Sequence, residues 1–226
     1  MRTHLKVESD IDSGTIDRVY SKVFRSNYEG PGFAILSFNK NIGSRHLRES
    51  MLKLKRGLSE KCQNKFGEEL DYYWLMRFDQ QENTKFHRDN APTDSYLMLG
   101  YEPTAIESRL LFADYQQFIA DQGISIDEYY ERYNPMFTAS EEHLNPYAKE
   151  VQDFDKSTYK IALINNSDLE SDKTLGVLHK ALMLTKDPSQ PRVVNSMMLY
   201  LKPADEPYRL SKEDEIHFAE TDEVHQ

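Results

Sequence analysis

A histidine and an aspartate stand two positions apart within the stretch from Thr84 to Asn90, at His87 and Asp89. Side chains at this spacing point the same way when the backbone is extended. One further histidine from a facing strand would give two imidazoles and one carboxylate, which together occupy one face of an octahedral metal. The other face stays open, so this pattern favours a catalytic metal site over a closed structural one.

The candidate for the third ligand is His179, which lies within the apolar segment from Leu175 to Met183. Strand alternation places Val177, His179 and Ala181 on one face of this segment and turns Lys180 to the other. A histidine inside an apolar strand is more often a core residue than a ligand. Composition alone also gives a chain with seven histidines about one histidine–acid pair at this spacing. The metal-site prediction therefore depends on order and setting together.

Arg192 opens the mostly apolar run from 192 to 200, shortly after His179. A buried guanidinium needs an anionic partner, and its planar fork suits a carboxylate in two-point contact. Ser196 falls on the same strand face by even spacing and could add a hydroxyl. Arg77, on the strand before the first motif, could meet an anionic substrate. An isolated arginine more often forms a surface ion pair, and this alternative role remains possible for both Arg77 and Arg192.

Composition bounds the class of protein. The chain has 226 residues, enough for one domain spanning residues 1–226 with a sizeable core. The net charge of −10 argues against gripping a nucleic-acid backbone and favours a small-molecule ligand. A lone cysteine, Cys62, indicates a reducing compartment, and the absence of a secretion signal or a membrane-length apolar run indicates a cytoplasmic protein without membrane contact. The sequence sets no oligomeric state.

Two strand-rich regions flank a polar, aromatic insert at about 104–158. Periodicity predicts helices over 16–27 and from Ser44 to a stop at Gly67, where Ser44 is the expected cap. Alternating apolar and aromatic runs predict strands, over 33–38, 71–78, 95–101, 159–165, 175–183 and 192–200. Residues 1–15 and the acidic tail at about 203–226 are polar, and we assign them no fold. The predicted fold is α+β with a mainly β, jelly-roll-like core wrapped by helices.

The insert is predicted to be helical. A first helix is expected over 108–122 with a stop at Gly123, and a second opens at the capping pattern of Ser125. A third helical segment is expected over 140–154. The insert could form a flap over a pocket, or a helical layer bracing the outside of a sheet, and the sequence favours neither.

The order and spacing of these motifs resemble those of the iron(II)- and 2-oxoglutarate-dependent dioxygenases. His179 follows the His87-Arg88-Asp89 motif by about ninety residues, and Arg192 comes thirteen positions later. The resemblance covers a core of about 33–201. It implies that His87, Asp89 and His179 hold Fe(II), that Arg192 grips the far carboxylate of 2-oxoglutarate, and that the core is a double-stranded β-helix (jelly-roll or cupin-like) with helices outside.

Two features refine what the resemblance implies. Many members carry serine or threonine two residues after the anchoring arginine, whereas this chain has Val194. The second contact to the cosubstrate is therefore unassigned, with Ser196 and Tyr96 as candidates. Asp89 is intact, which implies hydroxylation rather than halogenation. The expected substrate is a small organic molecule whose identity the sequence does not specify.

Rival interpretations of the same residues are of two kinds. The kinase catalytic loop also begins His-Arg-Asp, but the chain lacks a glycine-rich phosphate loop, a downstream Asp-Phe-Gly and the length for two lobes. A zinc hydrolase is a second enzyme interpretation, but the chain has no His-Glu-x-x-His motif. The stronger rival is a non-enzymatic jelly-roll module that binds a small anion through Arg192, or another protein through its tyrosine-rich insert, with the histidines only packed.

Overall fold

The computed structural model describes residues 3–39 and 42–225, and it contains two β-sheets with helices packed against them. The strands are β1 (His4–Val7), β2 (Phe33–Phe38), β3 (Glu68–Asp79), β4 (Ser95–Tyr101), β5 (Ser108–Ala113), β6 (Ala148–Glu150), β7 (Lys160–Asn165), β8 (Leu178–Met183) and β9 (Val193–Pro203). The α-helices are α1 (Ser13–Val23), α2 (Ser44–Phe66), α3 (Tyr115–Gln122), α4 (Ile126–Glu128) and α5 (Lys212–Glu220). The insert also contains a π-helical turn (Tyr129–Tyr133) and a 3-10 helix (Glu142–Tyr147). The protein is therefore mixed α and β with a mainly β core.

The larger sheet has six strands in the order β1-β2-β7-β4-β9-β3, and the smaller has three in the order β6-β5-β8. β1 runs parallel to β2, and the other pairs are antiparallel. From β4 onward the chain passes between the sheets: β5 and β6 lie in the smaller, β7 in the larger, β8 in the smaller and β9 in the larger. Residues far apart in sequence thus meet across one interior.

The segment between β3 and β4 extends the smaller sheet. The Thr84 N–H donates to the Ala181 carbonyl at 3.0 Å. His87 and His179 exchange two backbone hydrogen bonds of 3.0 and 2.8 Å, which form an antiparallel bridge. This segment therefore lies beside β8 as an irregular fourth member of the smaller sheet.

The larger sheet buries both of its faces. Strand alternation sends one set of side chains toward α1, α2 and α5 and the other toward the smaller sheet. Where the sheets face each other, the rings of Phe33 and Phe112 stack with centroids 3.8 Å apart. The helix-facing cluster includes Leu36, Leu54, Tyr96, Met98, Leu163 and Leu199. The cluster between the sheets includes Ile35, Leu99, Tyr101, Leu110, Ile164 and Met198.

The long helix α2 confirms the periodicity that predicted it. Its apolar stripe is fully buried at Leu47, Met51, Leu54, Leu58 and Cys62. The helix ends at Gly67, whose φ of 73° lies in the left-handed region that glycine adopts without strain. The predicted cap was wrong by one residue: Gly43 is the N-cap, and the Ser44 hydroxyl donates to Glu102 at 2.6 Å.

The predicted helix over 108–122 was wrong in its first half. Residues Ser108–Ala113 form strand β5, which pairs with both β6 and β8. Leu110 and Phe112 point into the space between the sheets with a period of two, and this burial outweighs the local helical pattern. The helix begins only at Tyr115, where the Asp114 side chain caps it. The third helical segment was likewise too long, because β6 follows the 3-10 helix.

Both ends of the chain are more ordered than their polar composition indicated. His4–Val7 form β1 beside β2, and the Asp12 side chain caps α1 by accepting from the Thr15 N–H at 2.7 Å. In the tail, Ser211 and Asp214 form a reciprocal capping box that opens α5. The absence of fold assigned to these two regions was therefore wrong.

The tail pairs with one end of edge strand β3 of the larger sheet. His225 exchanges backbone hydrogen bonds with Arg77 (2.9 Å) and Asp79 (3.0 Å). The Arg77 guanidinium also donates to the Asp222 carbonyl at 2.8 Å. These contacts satisfy backbone groups that an edge strand otherwise leaves unpaired. None of the helices in residues 3–39 and 42–225 combines the length and apolar character needed to cross a membrane.

Replacement of Phe218 tests whether the tail helix belongs to the folded core. Phe218 is 3% exposed, whereas Ile216 on the same helix is 49% exposed. We expect Phe218→Ala to lower the free energy of unfolding by about 3–5 kcal/mol, because it removes a buried aromatic ring. Ile216→Ala, the matched control, should stay within about 0.5 kcal/mol of the parent. Urea denaturation measures both, and equal values for the two variants would contradict the docking of α5.

Candidate metal centre

The side chains of His87, Asp89 and His179 converge at one point. One ligand atom from each lies within 4.8 Å of those of the other two. His87 Nε2 is 3.4 Å from Asp89 Oδ1, and the two imidazole centroids are 4.1 Å apart. Metal–ligand bonds of about 2 Å place neighbouring donors about 3 Å apart, so small side-chain rotations would bring all three onto one cation. Among the described residues, this is the one cluster of three or more such groups.

The backbone explains why the two imidazoles are adjacent. His87 and His179 are directly opposite each other in the bridge between their strands, so their side chains share a face. His87 Nδ1 lies 2.8 Å from the Lys85 carbonyl, which can only accept, so Nδ1 carries the proton of the neutral ring. The lone pair of the neutral His87 imidazole is then on Nε2, the nitrogen that faces Asp89.

His179 is buried and presents a neutral imidazole. It is 6% exposed, and its buried Nδ1 has no hydrogen-bond partner among the described residues. Burial and the neighbouring His87 charge lower its pKa to about 4, although the Asp89 carboxylate acts in the opposite direction. A buried polar atom without a partner costs free energy. A neutral imidazole can bind a metal without first losing a proton.

His87 and Asp89 stabilise each other's charged forms. Burial lowers the pKa of His87, but the Asp89 carboxylate and the Lys85 carbonyl outweigh it, so the net shift is upward. Burial raises the pKa of Asp89, but its hydrogen bond from His87 and the nearby positive charges make the net shift downward. Without a cation, the two opposite pKa shifts favour a contact between imidazolium and carboxylate over a contact between the neutral groups. A metal would replace the His87 proton.

Arg192 is buried without a salt bridge to its guanidinium among the described residues, although the Asp79 carboxylate accepts its backbone N–H at 2.8 Å and raises its pKa against the effect of burial. It is 3% exposed, and its guanidinium donates to the Gln80 carbonyl (3.1 Å), the Gln80 side-chain oxygen (2.5 Å) and the Ser108 hydroxyl (3.0 Å). It also lies 5.1 Å from the centroid of the Tyr101 ring. All of these groups are neutral, and no carboxylate of residues 3–39 or 42–225 forms an ion pair with it. Burial accordingly lowers the pKa of Arg192.

Arg192 and the three-residue cluster lie along the same interior. In the pairing of β5 with β8, Ser108 is opposite Met183 and Phe112 is opposite His179. Ser108, which contacts the Arg192 guanidinium, is therefore four residues along β5 from Phe112, the partner of His179. Four residues of strand span roughly 13 Å. The charges of Arg192 and Asp89 both act on Tyr101: burial raises its pKa, the Arg192 charge lowers it and the Asp89 charge raises it. The cavity beside Arg192 measures only about 20 Å³, room for about one water.

Neither candidate for the second contact meets the Arg192 guanidinium. Ser196 accepts a hydrogen bond from Trp74 Nε1 at 3.1 Å and lies four residues farther along the strand. The Tyr96 hydroxyl is 3.0 Å from Thr174 Oγ1, within the cluster that faces the helices. The tyrosine beside Arg192 is Tyr101. Tyr96 and Tyr101 lie on opposite faces of β4. The sequence could not show which of them faces Arg192, because that depends on the pairing of β4 with β9.

Arg77 takes the ion-pair role that its sequence context left open. Its guanidinium is 3.1 Å from Glu102 Oε1 and also contacts the Ser44 hydroxyl. The Asn195 side chain donates to the same Glu102 oxygen at 3.0 Å. These contacts join β3, α2 and β9, and no substrate group is needed to explain the buried charge. The suggested contact of Arg77 with an anionic substrate is therefore not supported by its position.

The insert braces the outside of the strands that carry the histidines. Lys85 Nζ donates to the carbonyls of Pro135 (3.1 Å) and Thr138 (2.9 Å). Glu141 accepts from the Phe86 N–H at 3.0 Å and pairs with Lys180 on β8. Of the two alternatives for the insert, these contacts correspond to the bracing layer.

The arrangement can hold one divalent cation and leave coordination positions free. Two imidazoles and one carboxylate are borderline donors that suit first-row divalent metals such as Fe(II). No protein-family model and no curated protein matches this sequence.

The pKa shifts predict how metal affinity depends on pH. Because the pKa of His87 is raised, protons compete with the cation once the pH falls through a value above its ordinary 6.5. We expect the association constant for Co(II) to fall about tenfold per pH unit below that value. A second proton competes only near pH 4, where His179 titrates. Isothermal titration between pH 5 and 8 measures this, and a flat profile would exclude His87 as a ligand.

Proposed function

We propose that the chain is a non-haem iron(II)- and 2-oxoglutarate-dependent dioxygenase that hydroxylates a small organic molecule. The observation that carries the proposal is the convergence of His87, Asp89 and His179 within 4.8 Å, from segments about ninety residues apart. The buried guanidinium of Arg192, which lacks a carboxylate partner in the described part of the chain, supports it independently.

The path of the chain supports a double-stranded β-helix as the finer description of the fold. In such a fold most consecutive strands alternate between two facing sheets, as all but β5 and β6 do from β3 onward. Here β3, β4, β7 and β9 are adjacent in the larger sheet, and the His87 segment, β8, β5 and β6 are adjacent in the smaller. Helices cover the outer face of the larger sheet. Two of the proposed ligands, His87 and His179, lie on neighbouring segments of the smaller sheet. Asp89 lies in the loop that follows His87.

The donor set fits Fe(II), and the unpartnered Nδ1 of buried His179 is consistent with an imidazole awaiting a ligand. When bound, iron and 2-oxoglutarate supply the oxidation by dioxygen: one oxygen atom enters a substrate C–H bond, the other enters succinate, and carbon dioxide leaves. The chain itself would fix the geometry of the ligands, and it would exclude water through Leu110 and Phe112, which are buried between the sheets.

Arg192 would bind the far carboxylate of 2-oxoglutarate by charge-assisted hydrogen bonds. Its present partners show what must change. The Gln80 side-chain oxygen, 2.5 Å from the guanidinium, stands where a carboxylate oxygen would bind. Since the adjoining cavity holds about 20 Å³, a five-carbon dicarboxylate requires Gln80 to turn away. Tyr101 and Ser108, already beside the guanidinium, would then supply the second contact that the sequence left unassigned.

A non-enzymatic interaction module remains the second candidate because of the insert surface. Phe137 is 81% exposed, Met136 52% and Tyr130 41%, which is unusual for large apolar side chains so close together. Such a module requires neither metal nor keto acid. Stoichiometric uptake of iron under anaerobic conditions separates the two candidates. The expected cytoplasmic location is also part of this proposal and depends on the single, buried Cys62.

Removal of a ligand tests the reaction directly. We expect Asp89→Ala and His179→Ala to abolish iron-dependent formation of succinate from 2-oxoglutarate, because two ligands bind the metal too weakly. His143→Ala is the matched control, since this half-buried histidine lies in the insert against Phe118. Succinate is measured by mass spectrometry, and thermal unfolding checks that each variant is folded. Unchanged turnover in either ligand variant would refute the assignment.

Replacement of Arg192 separates cosubstrate binding from metal binding. We expect Arg192→Ala to raise the 2-oxoglutarate KM by at least about tenfold, which corresponds to one charged hydrogen bond, while the affinity for Co(II) changes little. Arg109→Ala is the control, because Arg109 lies on β5 but its side chain is 52% exposed and paired with Glu150. A variant at 192 that lost the metal but kept its KM would show that the role is wrong.

A further inference from the structure

Asn166 holds the backbone of Asp89 on both sides. Its side-chain oxygen accepts the Asp89 N–H at 2.9 Å, and its side-chain nitrogen donates to the Asp89 carbonyl at 3.0 Å. The amide thus pairs with one residue as a neighbouring strand would. Asn166 is fully buried, and its nitrogen also donates to the Ser95 hydroxyl at 2.9 Å. The Asn166 amide itself is shielded from water.

The main chain of Asn166 secures the same loop. Its carbonyl accepts from Arg88 Nε at 3.1 Å, and its N–H donates to the carbonyl of Ser95 in β4 at 2.9 Å. The Arg88 guanidinium also donates to the Ala91 carbonyl at 3.0 Å. One residue, anchored to the larger sheet, therefore holds both Arg88 and Asp89.

Asp89 needs such support because regular strand pairing stops before it. His87 is fixed by its two backbone hydrogen bonds with His179, but within residues 3–39 and 42–225 no strand pairs with residue 89. Without Asn166, rotation about the backbone at Arg88 would swing the Asp89 carboxylate away from the imidazoles. A carboxylate free to move binds a cation less tightly, because binding must then order it.

We propose that Asn166 is a positioning residue that sets the orientation of Asp89 and so the affinity of the site for a divalent metal. The inference rests on the proposed metal centre and adds to it a residue that coordinates nothing itself. Groups that orient ligands typically change metal affinity by about 10- to 100-fold when removed.

Asn165 provides a matched control in the adjacent position. It is also fully buried, and its amide donates to the Val23 carbonyl (2.9 Å) and accepts from the Ser167 N–H (3.0 Å). Both asparagines therefore pair with one carbonyl and one N–H of the main chain, but only Asn166 pairs with the metal loop. A loss of stability common to both variants cannot account for a difference in metal affinity between them.

The experiment measures Co(II) affinity of the full chain by isothermal titration, together with the thermal unfolding of the metal-free protein. We expect Asn166→Ala to weaken Co(II) binding by about 10- to 100-fold, and Asn165→Ala to stay within about twofold of the parent. If either alanine variant fails to fold, the pair Asn166→Ser and Asn165→Ser is measured instead. Equal affinities for the two asparagine variants would overturn the proposal.

A double-mutant cycle tests whether Asn166 acts through Asp89. Co(II) binds nitrogen donors more tightly than Fe(II), so two imidazoles that hold iron too weakly for turnover still bind Co(II) at the high concentrations of the titration. In the Asp89→Ala background, the change at Asn166 should weaken Co(II) binding by no more than about twofold, because the carboxylate it orients is gone. A full additional loss would overturn the proposal, since Asn166 would then act by another route. Failure of the parent chain to bind Co(II) would instead refute the metal centre itself, so the two failures are distinguishable.

Discussion

Two backbone hydrogen bonds, between His87 and His179, set the geometry on which the candidate site depends. In antiparallel strands a pair that exchanges both bonds holds its Cα atoms about 5.5 Å apart with both side chains on one face. Two imidazoles in that relation share a single cation without special loop geometry. A slip of one residue in this register would turn one ring to the opposite face. The metal-site geometry is therefore a consequence of strand pairing.

Charge balance links the two ends of the interior. Asp89 and Arg192 carry opposite charges that lie too far apart to form an ion pair, and both influence the pKa of Tyr101. A divalent cation that displaces the His87 proton would add one net positive charge beside Asp89, and a keto-diacid that reaches Arg192 would add two negative ones. Each would offset part of the charge that the other brings into the interior, whereas either alone would bury uncompensated charge at a considerable cost. Metal and cosubstrate should therefore favour each other's binding.

Sequence predicted the parts of the fold in which burial follows a clear period. The α2 stripe and the strands β2, β4 and β7 were recognisable because each buries one or both faces regularly. β5 was missed because Leu110, Leu111 and Phe112 are adjacent, and a short apolar run fits either period. α5 was missed because acidic residues surround its buried Phe218 and Ala219. Tertiary packing decided both.

The site was predictable to a similar limit. Residue types and their order identified the three proposed ligands and Arg192 as candidates, because metal coordination and carboxylate binding require particular side chains. Tyr101 and Asn166 were not identifiable, because their positions follow from strand register and from a loop of polar residues that all look alike in sequence. Supporting residues act through geometry, and geometry of this kind is encoded in the whole fold and not in a local motif.

The insert and the metal centre use opposite faces of the same two strands. Phe86 and Leu178 point outward into the apolar cluster of the insert, while their neighbours His87 and His179 point inward. Because side chains alternate along a strand, outward packing fixes the inward direction of the imidazoles. A bracing insert thus explains how an irregular segment with few ladder hydrogen bonds keeps its imidazole on the inward face beside His179.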